Sequence, residues 1–224
     1  PRRLNLSSRV RDLRYKVGMQ VIIRIIVAII FGANLGALGA LWFGGLLSGS
    51  PQIGSVINVD GWSSDWSIGS ESANPYVRAR VARSGLLALR KEEAVYFIKN
   101  QDDAGEPLIE TCTYRVSGPE QPAGWWSITL YDANSRLPMN EDGRLSYDLT
   151  QSQRDFQGGP TAWSFQVSAT APETADTPWV SSKAAETFDL TLRLYQPNPA
   201  LFEDPSGTLT PPSIERLSCD GGAS

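Results

Sequence analysis

Two hydrophobic rhythms divide this chain. From Ile25 to Leu47 run 23 residues without a charge, which as a helix rise about 34 Å and so can cross a hydrocarbon core of roughly 30 Å. Later the pattern becomes alternation. Trp163-Ser164-Phe165-Gln166-Val167 and Phe188-Asp189-Leu190-Thr191-Leu192-Arg193-Leu194 place an apolar side chain at every second position. That period belongs to strands with one buried and one solvated face.

The long apolar run is more than greasy. Ala28, Gly32, Gly36, Ala40 and Gly44 recur every fourth residue, the spacing that lets a second membrane helix approach closely. Arg24 can snorkel toward headgroups, and Trp42 falls where an indole prefers the interface. Asn34 points away from the small-residue row, and either contacts a second neighbour or bonds its own backbone. A signal peptide is the rival reading, but its apolar core spans only about 7–15 residues, so a retained anchor is expected.

Residues 75–91 predict the one soluble helix, with Ala79, Ala82, Leu86 and Leu89 as its apolar stripe and Gly85 in the middle. Strands are expected over Ala94–Ile98, Ile109–Val116, Trp125–Tyr131, Trp163–Val167 and Phe188–Leu194. Asn100–Gly105 reads as a hairpin-type loop and Ser117-Gly118-Pro119 as a turn. The Pro-rich tail from Gln196 is expected to wrap the surface. The fold class is therefore mainly β, an antiparallel jelly-roll-like sandwich with one short helix, preceded by a single N-terminal transmembrane helix. Its expected divisions are a basic cytoplasmic tail at 1–16, the membrane helix at 17–47, a linker at 48–61 and a periplasmic β domain at 62–224.

Charge orients this arrangement. Arg2, Arg3, Arg9, Arg11, Arg14, Lys16 and Arg24 face only Asp12 at the N-terminus, whereas the whole chain has 20 Lys+Arg and 24 Asp+Glu, leaving the remainder strongly acidic. Basic flanks stay in the cytoplasm, so the acidic domain is expected on the opposite, exported side of the membrane. An acidic domain repels phosphates, which argues against a nucleic-acid partner. In that compartment the two cysteines, Cys112 and Cys219, are expected to be bridged.

Candidate chemistry is thin. There is no histidine, which removes the usual general base and the commonest metal ligand. Two cysteines make no zinc site, and no phosphate-binding glycine motif occurs. No catalytic residue, metal or cofactor is expected. The acidic pairs Glu92-Glu93, Asp102-Asp103 and Glu141-Asp142 read as solvated loop residues. Trp62, Trp66, Trp125, Trp126, Trp163 and Trp179 could stack a ligand, although core packing is the weightier reading. Trp125 and Trp126, being adjacent on a strand, must face opposite sides.

Several blocks together carry a resemblance: Pro75 to Leu89, Glu93-Ala94-Val95-Tyr96-Phe97, Cys112-Thr113-Tyr114, Trp125-Trp126-Ser127-Ile128-Thr129-Leu130-Tyr131-Asp132, Asn140, Arg144-Leu145-Ser146, Leu192-Arg193-Leu194-Tyr195 and Pro211 to Cys219. Over about residues 62–219 the chain resembles the bacterial family called domain of unknown function 1214. The resemblance implies a jelly-roll-like β domain and carries no activity to transfer. Asp132 reads as a turn cap. Arg78, Arg83, Arg144 and Arg193 could pair with Asp132, Glu93 or Asp189, or else form a site for a small anion.

The sequence thus leads us to expect a non-catalytic accessory or structural subunit of a larger membrane complex. Its partners would be the bilayer and other integral membrane proteins met through its helix. The alternative is a tethered binding module for a sugar or small anion.

Overall fold

The computed structural model describes residues 6–47, 49, 55–70, 73–84, 89–155 and 162–219, so Arg2, Arg3, Gly85 and Leu86 lie outside it. The chain separates into two compact units, residues 1–53 and 54–224.

The first unit is helix α1, Leu6–Phe43. Its stretch Gly18–Phe43 has 26 residues and a mean hydropathy of 2.4, long and apolar enough to cross a membrane. The helix stops earlier than Leu47 because glycine caps it. Gly45 takes φ of 76°, and its N–H donates to the Trp42 carbonyl while that of Leu46 reaches the Leu41 carbonyl. These paired bonds satisfy carbonyls that the helix end would otherwise leave open. Asn34 resolves its two options locally, its Nδ2 donating to the Ile30 carbonyl at 2.7 Å.

The second unit opens with strands β1, Val56–Val59, and β2, Trp62–Asp65, so the β domain begins inside the expected linker. Asp60 and Gly61 join them, both at positive φ, the geometry of a two-residue turn that matches strand twist. Helix α2 spans Pro75–Ser84, with the Asn74 side chain accepting from the Tyr76 N–H at its start. It does not run to 91, and its buried face is Val77 and Val81 rather than Ala79 and Ala82. Valine has more apolar surface to bury than alanine, and the two sit one turn apart.

Next come β3 (Ala94–Lys99), β4 (Cys112–Pro119), β5 (Ala123–Asp132) and β6 (Ser146–Asp148). Helix α3 (Leu149–Asp155), β7 (Ala162–Ser168), β8 (Trp179–Ser181) and β9 (Phe188–Pro197) follow. Two single-turn helices, α4 (Ala200–Glu203) and α5 (Pro205–Thr208), precede β10 (Ser213–Cys219). The expected turn at Ser117-Gly118-Pro119 is strand, paired with Ser164, Trp163 and Ala162. Nor is the expected wrapping tail merely a wrap, since it ends in β10 paired with β4.

The strands form two sheets, ordered β1-β2-β3-β9-β5-β6 and β10-β4-β7-β8. All neighbours are antiparallel except β7 and β8, which makes the smaller sheet mixed rather than antiparallel as expected. The 100–105 loop is the hairpin-type turn expected, with Gln101 bridged antiparallel to Pro107 and the Asp102 N–H donating to the Glu106 carbonyl, after which the chain enters the second sheet. Alternation places Val95, Phe97, Trp126, Ile128, Leu190 and Leu192 from the larger sheet in one core with Tyr114, Val116, Trp163, Phe165 and Ile214 from the smaller. Trp126 and Trp163 meet at 4.7 Å between ring centroids. Cys112 and Cys219 are directly opposed on β4 and β10 and are joined as a disulfide.

Candidate functional site

Pairing register assembles a surface that no single strand reveals. With the apolar residues of β9 and β5 turned inward, the alternate residues share the outer face of the six-stranded sheet. Three rows cross it: Ala94–Tyr195–Trp125, then Tyr96–Arg193–Ser127–Asp148, then Ile98–Thr191–Thr129–Ser146. Asp189 and Tyr131 pair beyond them. This face carries four aromatic rings, several hydroxyls, one guanidinium and two carboxyls; Ala94, Tyr96, Ser127, Thr129 and Thr191 on it are buried, and Trp125, Tyr195, Arg193, Tyr131 and Asp189 form its accessible part.

Arg193 stands at its centre. Its Nη1 donates to Thr129 Oγ1 at 2.8 Å, and its Nη2 donates to the Tyr131 hydroxyl. The guanidinium carbon lies 5.2 Å from the Tyr131 ring centroid and 5.9 Å from that of Tyr96, within reach of a cation–π attraction. Trp125 packs against Tyr195 at 5.3 Å yet remains 37% exposed, whereas Trp126 is fully buried. The two adjacent indoles do face opposite sides.

Burial sets the ionisation of this face. The Asp189 carboxyl is pushed up to about 6, first by desolvation and then by the neighbouring Asp132, although a 2.9 Å bond from Thr191 Oγ1 and the charge of Arg193 oppose the shift. Burial and the nearby Tyr195 likewise raise the Tyr96 hydroxyl. Asp189 is therefore a carboxyl that titrates near neutrality beside an arginine committed to hydroxyl partners.

The five ionic residues singled out from sequence do not form one cluster. Arg78 and Arg83 lie on α2. Asp132 caps a turn, its Oδ1 accepting from the N–H groups of Asn134 and Arg136 at 2.9 and 2.8 Å. Glu93 accepts from the Arg90 N–H, and the hydrogen bonds of Arg193 go to hydroxyls rather than carboxylates. Arg144 stands at the edge of the larger sheet, in a recess of about 470 Å³ shared with Ser146, Asp148, Gln151 and Trp179. The small residues of α1 stay open: a side chain added at Gly32 or Gly36 meets nothing within 4 Å. At Gly44 it would press on the Ala40 carbonyl at 2.9 Å, so that glycine serves the helix end.

One expectation changes and one holds. Asp102 is 3% exposed rather than solvated. Its Oδ1 accepts from the Ala104 and Glu106 N–H groups, and its Oδ2 lies 2.8 Å from Arg216 Nε, so it pins the loop to β10. Trp62 is core, with Nε1 donating to the Pro212 carbonyl. Among the described residues no three His, Cys, Asp or Glu side chains converge as a metal site would require.

The family model described as Protein of unknown function (DUF1214) matches residues 93–199, just under half of the chain. It thus spans β3 to β9 and every row of the outer face, and it confirms the resemblance over a narrower range than 62–219. No curated protein matches the chain. Among solved structures, the VPA0106 protein of Vibrio parahaemolyticus is 21% identical with a TM-score of 0.49, over 66% of this chain and 36% of its own. A putative uncharacterized protein of Burkholderia cenocepacia is 19% identical with a TM-score of 0.35, over 59% of this chain and 31% of its own. The chain spans about a third of the length of either.

Proposed function

We propose that this protein is a membrane-tethered, non-catalytic binding module that recognises a sugar on the outer face of its larger sheet. The observation that carries the reading is the register-built face of Trp125, Tyr195, Tyr96, Arg193, Tyr131 and Asp189. A solvated sheet face needs only small polar residues. Large rings beside ordered hydroxyl, guanidinium and carboxyl groups suit a ligand with apolar ring faces and many hydroxyls. An anion fits less well, because both terminal nitrogens of Arg193 are already engaged and Asp189 would repel it. In this reading the acidic, jelly-roll-like domain lies in the periplasm and α1 holds it at the inner membrane.

The test uses the full chain in lipid nanodiscs on an array of oligosaccharides. Trp125→Ala should abolish retention without unfolding the domain, since Trp125 is partly exposed. An array on which the wild-type chain retains nothing overturns the reading.

A second reading, an accessory subunit of a larger membrane complex, is favoured by the every-fourth spacing of Ala28, Gly32, Gly36, Ala40 and Gly44 on α1. It differs in requiring this particular helix, whereas a binding module would tolerate any anchor.

A further inference from the structure

The recess at the sheet edge is continuous with the outer face. Ser146 pairs with Thr129 and Asp148 with Ser127, so the second and third rows end at it, with Ser127 and Thr129 themselves buried and Arg193 the accessible group between recess and shelf. Across β3, β9, β5 and β6 the face measures roughly 14 Å at ordinary strand spacing, and Trp125 to Thr129 along β5 spans about 13 Å. That is wider than a single sugar ring.

The recess is also built in advance. Its rim loop is fastened to β8 and the turn after it at three points. Ser181 Oγ donates to Asp142 Oδ2 at 2.6 Å, the Ser181 N–H donates to the Arg144 carbonyl at 2.7 Å, and Asn140 Nδ2 donates to the Lys183 carbonyl at 2.8 Å. On the opposite wall Asp148 and Gln151 hold one another, each side chain accepting from the other's N–H at 2.9 Å, which caps α3. Trp179 is fixed by its Nε1 bond to the Ser168 carbonyl. The Arg144 guanidinium is exposed in this frame. An indole, a carboxylate and an amide held in place lose little entropy on taking up a polyhydroxylated ring, and the exposed Arg144 guanidinium and Ser146 hydroxyl stand beside them.

We infer that this recess is a second subsite of the same binding face, so that the ligand is a neutral oligosaccharide whose units occupy the Trp125–Tyr195 shelf and the Arg144–Trp179 recess together. The inference rests on the sugar-binding reading above. Neutrality follows from the charges: Asp142 and Asp148 outnumber Arg144, and a carboxylated or sulfated sugar would meet a net negative field.

The experiment measures affinity of the full chain in nanodiscs for gluco-, manno-, galacto- and N-acetylglucosamine oligomers of one to six units, with uronic acid oligomers alongside. Affinity should rise with length for the neutral series that binds and stay low for the acidic one. Arg144→Ala and Asp148→Asn should each weaken the longest bound oligomer about tenfold while leaving the shortest unchanged. Asparagine still caps α3, so that variant keeps its fold. Trp125→Ala should weaken every length. Neutral binding that ignores length, or equal losses at all lengths in the Arg144 variant, overturns the inference while the sheet-face reading stands. No binding by any oligomer removes both.

Discussion

Replacing Asp189 by Asn should stabilise the protein at neutral pH and flatten part of its pH dependence. The Asp189 carboxyl, ordinarily near 3.8, is raised to about 6 in the folded chain. Between those values the folded protein holds a proton that the unfolded chain has released, so stability falls as pH rises through this window and is fully present only below it. The shift corresponds to an upper figure of about 3 kcal/mol, and partial solvent access lowers it toward about 2. Asn is nearly isosteric, carries no charge to desolvate, and its carbonyl can still accept the Thr191 hydroxyl bond.

The assay is urea unfolding followed by tryptophan fluorescence from pH 4.5 to 8, with wild type and Asp189→Asn measured in the same detergent. Other carboxyls titrate too; that of Asp103, for instance, is lowered by Lys99 and Ser213 despite its partial burial. The difference between the two curves cancels them. It should already favour Asn by about a third of its plateau at pH 4.5, grow up to about pH 7, and then level off. A difference independent of pH, or one favouring Asp at pH 8, refutes the assignment of a raised carboxyl to this face.

Reduction of the Cys112–Cys219 bond, which closes a sequence separation of 107 residues, should cost up to about 4–5 kcal/mol on chain-entropy grounds, read as a fall in Tm that is absent in a double Ser variant. Trp126→Ala should cost about 3–5 kcal/mol in urea unfolding, because the indole is fully buried against Trp163 and Tyr147. Replacing Gly32, Gly36 and Ala40 together by Leu should leave membrane insertion intact but remove co-purifying membrane proteins after mild extraction, the result the subunit reading requires. A reporter that works only outside the cytoplasm, fused after Ser224, should be active; activity confined to a cytoplasmic reporter would reverse the orientation drawn from the basic tail.

The larger elements were legible because their patterns are strong. Alternation located β7 and β9, aromatic and β-branched content located β5, and the long uncharged run located α1. What escaped was short or held by long-range pairing. β6 and β8 have three residues each, too few for a period to show. β1 is set by the left-handed Asp60-Gly61 turn, a signal that the apparent linker composition concealed. β10 looked like a wrapping tail because its neighbours are prolines, yet its pairing with β4 decides its state. Asp102 read as an ordinary loop acid, since sequence does not reveal that Arg216 lies across from it.

The candidate site was hidden for a related reason. Arginine and carboxylate types drew attention to Arg78, Arg83, Asp132, Arg144 and Arg193, and pairing opposite charges is the simplest use for such residues. The fold gives Asp132 to a turn and Arg193 to two hydroxyls. Only register makes Tyr195 a neighbour of Trp125, or Asp148 of Ser127, and a shift of one residue in either pairing would turn those side chains into the core. The apolar residues between them are what prevent that shift: Leu190, Leu192 and Leu194 must face inward with Trp126, Ile128 and Leu130. The inward half of each strand thereby aligns the outward half, and the same alternation that holds the two sheets together brings Trp125 beside Tyr195 and Arg193 beside Tyr96.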